Sequence, residues 1–173
     1  MLKKIIVLTL LVSFIGNTAV FAGLGGKKAA YQGGTTKDKD FAGAKEGVEG
    51  NFIINDEAAL KFDYEINKVK KTFSIPYSQF IDVEYGQKAG RRVGAALATA
   101  ILISPVGLFL LFSKKRKHFV TIGYKGEDGK DQVAIFEVGK DIIRESLAVL
   151  EARSGKKIVY QDEEAKKSSS KGK

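Results

Sequence analysis

With one histidine and no cysteine, this chain has few ways to do covalent or metal chemistry. The absence of Cys removes thiolate nucleophiles, disulfides and Cys-ligated metals. The histidine, His118, ends the run Lys114-Lys115-Arg116-Lys117 at a strand entrance, where a solvated or headgroup-facing ring is expected rather than a general base. Asp82 and Glu84 stand two apart in an alternating segment, so they share a strand face and read as its wet side. Gly23-Leu24-Gly25-Gly26-Lys27 has the composition of a phosphate loop without its full spacing or a preceding strand. Neither a nucleophile elbow nor a metal-ligand spacing is present. The sequence predicts no catalytic residue, no metal site and no cofactor, and it reads as a non-enzyme.

What stands out instead is Val93–Phe112, VGAALATAILISPVGLFLLF, twenty residues without a charge. Arg91 and Arg92 precede it, and Lys114, Lys115, Arg116 and Lys117 follow it. A hydrocarbon core needs about 20 apolar helical residues to cross. Leu97, Ile101, Leu102, Leu108, Phe109 and Leu111 are the side chains expected to enter lipid, and the six cations are expected to meet headgroups. The formal net charge of +9 points to an anionic partner. Nucleic acid is set aside because the basic residues collar an apolar segment instead of interleaving with aromatics. The expected partner is membrane lipid of anionic character, with a protein partner or further copies of the chain as the alternative.

Residues 1–22 have the form of a secretory signal: Lys3-Lys4, an apolar run from Ile5 to Ile15, and a small-residue end at Ala22. Cleavage after Ala22 is expected, with an uncleaved anchor helix as the alternative. Either way the protein is expected to be exported and membrane-associated, in the cell envelope or periplasm.

The elements that must carry the apolar segment are short strands. Residues 23–49 are glycine-rich and read as a linker, with room for a short strand at 29–33. From Asn51 the period becomes two. Phe52–Ile54, a turn at Asn55-Asp56, and Leu60, Phe62 and Tyr64 predict a hairpin with one wet face. Asn67-Lys68 supplies the next turn; Phe73 and Ile75 follow, and Pro76 must end that strand. Ile81, Val83 and Tyr85 make a fourth strand. After the insert, Val120, Ile122 and Tyr124 alternate with Thr121 and Gly123, Gly126–Lys130 is a hairpin loop, and Val133–Val138 returns. Asp141 is placed to cap a helix whose Ile143, Leu147 and Leu150 recur on one face. Ser154-Gly155 stops it, Ile158–Tyr160 offers one more strand, and 161–173 reads as a disordered charged tail.

Strands in a meander followed by one amphipathic helix resemble the pleckstrin-homology-like superfold, in particular its GRAM and bacterial PH-type branches. The residues that carry the likeness are Gly50–Asp56 leading to Leu60-Lys61-Phe62, Phe73–Ser78 leading to Ile81–Glu84, and Phe119–Tyr124 with Asp128-Gly129-Lys130 and Ala134-Ile135-Phe136. The resemblance covers roughly residues 50–153 and implies a mainly β fold, a β-sandwich or partly open barrel with one C-terminal helix, over 50–160. It departs from the family between strands 4 and 5, where a brief loop is replaced by an apolar insert at 90–113. No basic signature near the first hairpin matches a phosphoinositide pocket, and fold alone does not transfer an activity.

If strands before and after the insert share a sheet, both its ends lie on one side of a membrane. A single straight span would separate the half-sheets and leave open edges. Ser104-Pro105 near the middle favours a re-entrant α-hairpin, with arms of about nine residues or roughly 14 Å. Gly90, Gly94 and Ala98, spaced by four, permit close helix approach. Two alternatives stand beside the hairpin: a true span, with the basic cluster after Phe112 as its stop signal, and a helix pair that packs on the sheet away from lipid.

Overall fold

The computed structural model of the chain describes residues 28–35, 41, 47–87 and 117–170. The signal segment 1–22 and the insert 90–113 lie outside the described residues. Eight strands form one sheet: β1 (Lys28–Gly34), β2 (Val48–Ile53), β3 (Ala59–Ile66), β4 (Val69–Pro76), β5 (Phe80–Gly86), β6 (Phe119–Lys125), β7 (Asp131–Val138) and β8 (Ile158–Tyr160). Among the described residues, a short 3-10 turn (Tyr77–Gln79) joins β4 to β5, and two α-helices come after β7: α1 (Ile143–Ser154) and α2 (Glu163–Ser170).

Spatial order is β4-β3-β2-β1-β7-β6-β5-β8, antiparallel except for the parallel pair of β5 with β8. The turns follow from local chemistry. Asn67 and Lys68 take φ of 53° and 65°, the left-handed pair of a two-residue hairpin turn that matches sheet twist. Asp56 Oδ1 accepts the N–H groups of Ala58 and Ala59, both at 2.9 Å, and its other oxygen meets Lys61. The sheet is curled rather than flat. Neighbouring strands lie about 4.8 Å apart, so β4 and β6, five places apart, would be roughly 24 Å apart in a plane. Yet the Phe73 ring on β4 is 6.4 Å from Tyr124 on β6 and 6.3 Å from Tyr31 on β1. The outer strands β4 and β8 do not bond to each other, so the curl is not closed.

Inside the curl lies the core: Phe62, Phe136, Tyr85, Leu60 and Ile75, with Phe41 stacked on Tyr31 at 4.1 Å. The α1 helix adds Ile143, Leu147 and Leu150 to it, the stripe that the periodicity predicts. Its start differs from expectation. Asp141 makes no cap; the N–H groups of Ile142 and Ile143 go to the Gly139 carbonyl, both at 3.1 Å. Gly155, at φ +67°, closes the other end and donates to the Glu151 carbonyl. Arg153 then reaches the Ile54 carbonyl at 2.6 Å and that of Asp56, tying the helix to the β2–β3 turn.

The short strand read at 29–33 is present as Lys28–Gly34, and it is bonded to both β2 and β7 with Ala29, Ala30 and Tyr31 buried, so it belongs to the sheet rather than to a linker. One segment departs from the sequence reading. Within the expected disordered tail, Glu163–Ser170 is a helix, started by Asp162 Oδ1 accepting the Ala165 N–H at 2.7 Å and held by the buried Ala165.

Candidate functional site

The place where the sequence and the fold meet is the root of the insert. Its two ends belong to adjacent antiparallel strands, and Gly86 at the end of β5 stands directly opposite Phe119 at the start of β6. Opposed residues in such a ladder have Cα atoms about 4.5–5.5 Å apart. The 32-residue connection from Gln87 to His118 therefore leaves and re-enters the domain at one point.

Side chains from four elements fasten that point. On the β6 side, Lys117 Nζ is 2.7 Å from Glu137 Oε2, and Gln32 Nε2 donates to the same oxygen at 2.9 Å. The Val138 N–H donates to the His118 carbonyl at 2.8 Å. On the β5 side, the Gln161 N–H donates to the Tyr85 carbonyl at 3.0 Å, and the Gln161 amide lies over Gly86. Between the two sides runs a chain of polar groups. Tyr85 Oη is 2.6 Å from His118 Nδ1 and 3.0 Å from Ser168 Oγ, which is itself 2.9 Å from the Ala165 carbonyl.

The protons of this chain can be placed in two ways. With the Ser168 hydrogen on Ala165, Tyr85 donates to Ser168 and His118 donates from Nδ1; with it on Tyr85, the phenol donates to Nδ1 and the ring proton sits on Nε2. Burial, reinforced by Lys140 and opposed by Glu137, holds the His118 pKa below its ordinary value, which favours the neutral ring. Burial likewise raises the Tyr85 phenol, partly offset by Ser168, with Tyr160 adding to the rise. The hydroxyls are committed to neighbours, and the arrangement works as a clamp that joins α2 to both ends of the insert.

No family model matches the chain, and no curated protein is similar to it in sequence.

Of the expected headgroup contacts, Lys117 is among the described residues, and its ammonium is engaged by Glu137. Arg91, Arg92, Lys114, Lys115 and Arg116 lie outside the described residues, as do Leu97, Ile101, Leu102, Leu108, Phe109 and Leu111. Of the pair expected on a wet strand face, Asp82 is half-buried and accepts the Gly123 N–H at 3.1 Å, whereas Glu84 is buried beside Thr121 of β6. Among the described residues no group of three His, Asp or Glu could hold a metal ion. Nor is any described helix long and apolar enough to cross a membrane. Sequence reasoning did not find Glu137, Gln32, Tyr85, Gln161 or Ser168 as a cluster. Two signals pointed that way: a glutamate inside the apolar run VAIFEV, and a lone histidine at a strand entrance. Neither says which strand lies next to which.

Proposed function

We propose that this protein is a non-enzymatic, membrane-associated binding or scaffold module of PH-like architecture, docked by an apolar re-entrant hairpin with basic flanks. The observation that carries the reading is the pairing of Gly86 with Phe119. A straight helix of about 20 residues separates its ends by roughly 30 Å. Ends that face each other across one ladder suit a connection that turns back on itself. The apolar segment offers area burial for salt-insensitive affinity, and each cation beside an anionic surface adds about 1 kcal/mol. The PH-like reading draws its support from the strand meander and from α1, which follows β7 directly and packs inside the curl.

The test is co-sedimentation with anionic and neutral vesicles, comparing the full chain with one lacking Gly94–Phe112. Loss of binding on deletion is expected; equal binding by both overturns the proposal. Labels at the exposed Lys70, before the insert, and Glu127, after it, should be reached from one side of the membrane. Labels on opposite faces would replace the hairpin by a span.

A further inference from the structure

The curled sheet has an outer face, and its two halves differ. On β3 and β4 that face is wet, carrying Lys61, Asp63 and Glu65 opposite Ser74, Thr72 and Lys70. Across β6 and β7 and the adjoining parts of β5 and β1 it is buried, with the polar Gln32, Glu84 and Glu137 among the buried outward residues. Register puts Phe119, Thr121, Val133 and Ile135 on one side of this half, with Val120, Ile122, Ala134 and Phe136 on the core side. The outward four are 2%, 4%, 0% and 1% exposed. Yet α1 and α2 both pack on the core side or at the β8 edge. Apart from the Gln161 amide beside Gly86, no described element covers this buried half.

We infer that the apolar segment Val93–Phe112 packs across this half-face, over Phe119, Thr121, Val133 and Ile135. This rests on reading that segment as an apolar hairpin and revises how it meets lipid: along the sheet face, one side to the bilayer, instead of by projecting into the hydrocarbon. Three observations select it as the occupant. First, its attachment points are on the face: Gly86 and Phe119 are both outward positions of the same row, continued by Glu137 and Ala30. Second, Lys117 is drawn toward this side, because its partner Glu137 is an outward residue. Third, the sizes agree. Four strands span three spacings of about 4.8 Å, roughly 14 Å, which is the length of a nine-residue helical arm.

Chemistry agrees as well. A helix that is apolar all round needs an apolar neighbour on every side. The sheet covers one side of each arm, and the lipid covers the other. The hairpin then lies flat between the domain and the bilayer, and the buried half-face is what holds it there. A hairpin projecting straight into lipid would leave Phe119 and Ile135 facing water.

The chain contains no native cysteine, so introduced ones report without background. Thr121→Cys, a near-isosteric change, is combined with Leu97→Cys in one full-length variant and with Leu108→Cys in another. Each is treated with a short bifunctional maleimide, with and without anionic vesicles. An intramolecular cross-link from Thr121→Cys to at least one arm is expected in both conditions, whereas a control with Lys61→Cys on the wet half should give none. A cross-link only between chains, or one formed instead with Leu8→Cys of the N-terminal segment, overturns the inference by naming another occupant. No cross-link to either arm overturns it too. Vesicle co-sedimentation of the same variants is read separately. Binding without the cross-link leaves the docking proposal standing and removes this inference. A cross-link without binding removes the docking proposal and leaves the packing.

Discussion

Gln161 lies against Gly86 so closely that a Cβ at position 86 would come within 1.7 Å of its Oε1 and 1.8 Å of its Cδ. Gln161 is itself buried, so its amide has little room to yield. A larger residue at 86 is opposed by that contact rather than by the φ there. Gly86→Val should expel the Gln161 side chain, unseat β8 and α2, and cost about 1–3 kcal/mol, the usual range for overpacking. Hydrogen exchange should rise over 158–170 while β2–β4 stay protected. Unchanged exchange in that segment would mean that Gln161 does not hold it.

His118 gives a pH dependence with a definite sign. Its folded pKa is depressed from 6.5, so the unfolded chain binds the proton more readily. The stability that the neutral ring provides is present above 6.5 and is lost as pH falls below it, until the folded pKa is passed. Thermal melts should fall between neutral and mildly acidic pH, with a shallower slope for His118→Gln. Nitrogen NMR should find a neutral ring at neutral pH, and the protonated nitrogen reads the direction of the relay: Nδ1 if Tyr85 donates to Ser168, Nε2 if Ser168 donates to Tyr85.

Lys117 should behave differently from the rest of its run. Among the described residues, Glu137, with its side chain 8% exposed, would keep Gln32 as its side-chain partner if Lys117 were changed to Gln. We expect that change to destabilise the fold by about 1–3 kcal/mol, the cost of an under-satisfied buried group. Adding Glu137→Gln should recover most of the loss, as a coupled pair does. Replacing Lys114, Lys115 and Arg116 together should leave the melt unchanged and reduce both the affinity for anionic vesicles and its salt dependence. A triple variant that binds as the parent does would detach the basic run from docking.

Leu147→Asp places a carboxylate among Tyr85, Leu150 and the rest of the core, at a position 4% exposed. A loss of about 3–5 kcal/mol is expected, enough to threaten the fold. An unchanged melting temperature would show that α1 does not dock inside the curl.

The hairpins and α1 were legible in the sequence because their signals are local. Leu60, Phe62 and Tyr64 alternate with Lys61, Asp63 and Glu65, and the Asn67-Lys68 turn fixes its own register. β1 was legible as a short strand at 29–33, but not as a central one, because its bonds to β2 and β7 on either side are long-range. The helix α2 was hidden because one small residue, Ala165, does its packing. The buried half-face was visible in principle. Val133–Val138 and Phe119–Ile122 are apolar at both parities apart from Glu137 and Thr121, which is the pattern of strands covered on both sides. Strand order was out of reach, because nothing local tells β1 that its neighbour is β7. The root clamp was out of reach for the same reason.

The clamp also fixes a timetable. Ala29 pairs with Val138, and Tyr85 waits for Ser168, 83 residues downstream. A chain made from its amino end completes β2–β4 first and releases the apolar segment before β7, β8 and α2 exist. Distant pairings of this kind are slow to form. The segment therefore meets its surroundings while both its ends are still loose, and the last few turns of synthesis decide when that choice becomes permanent.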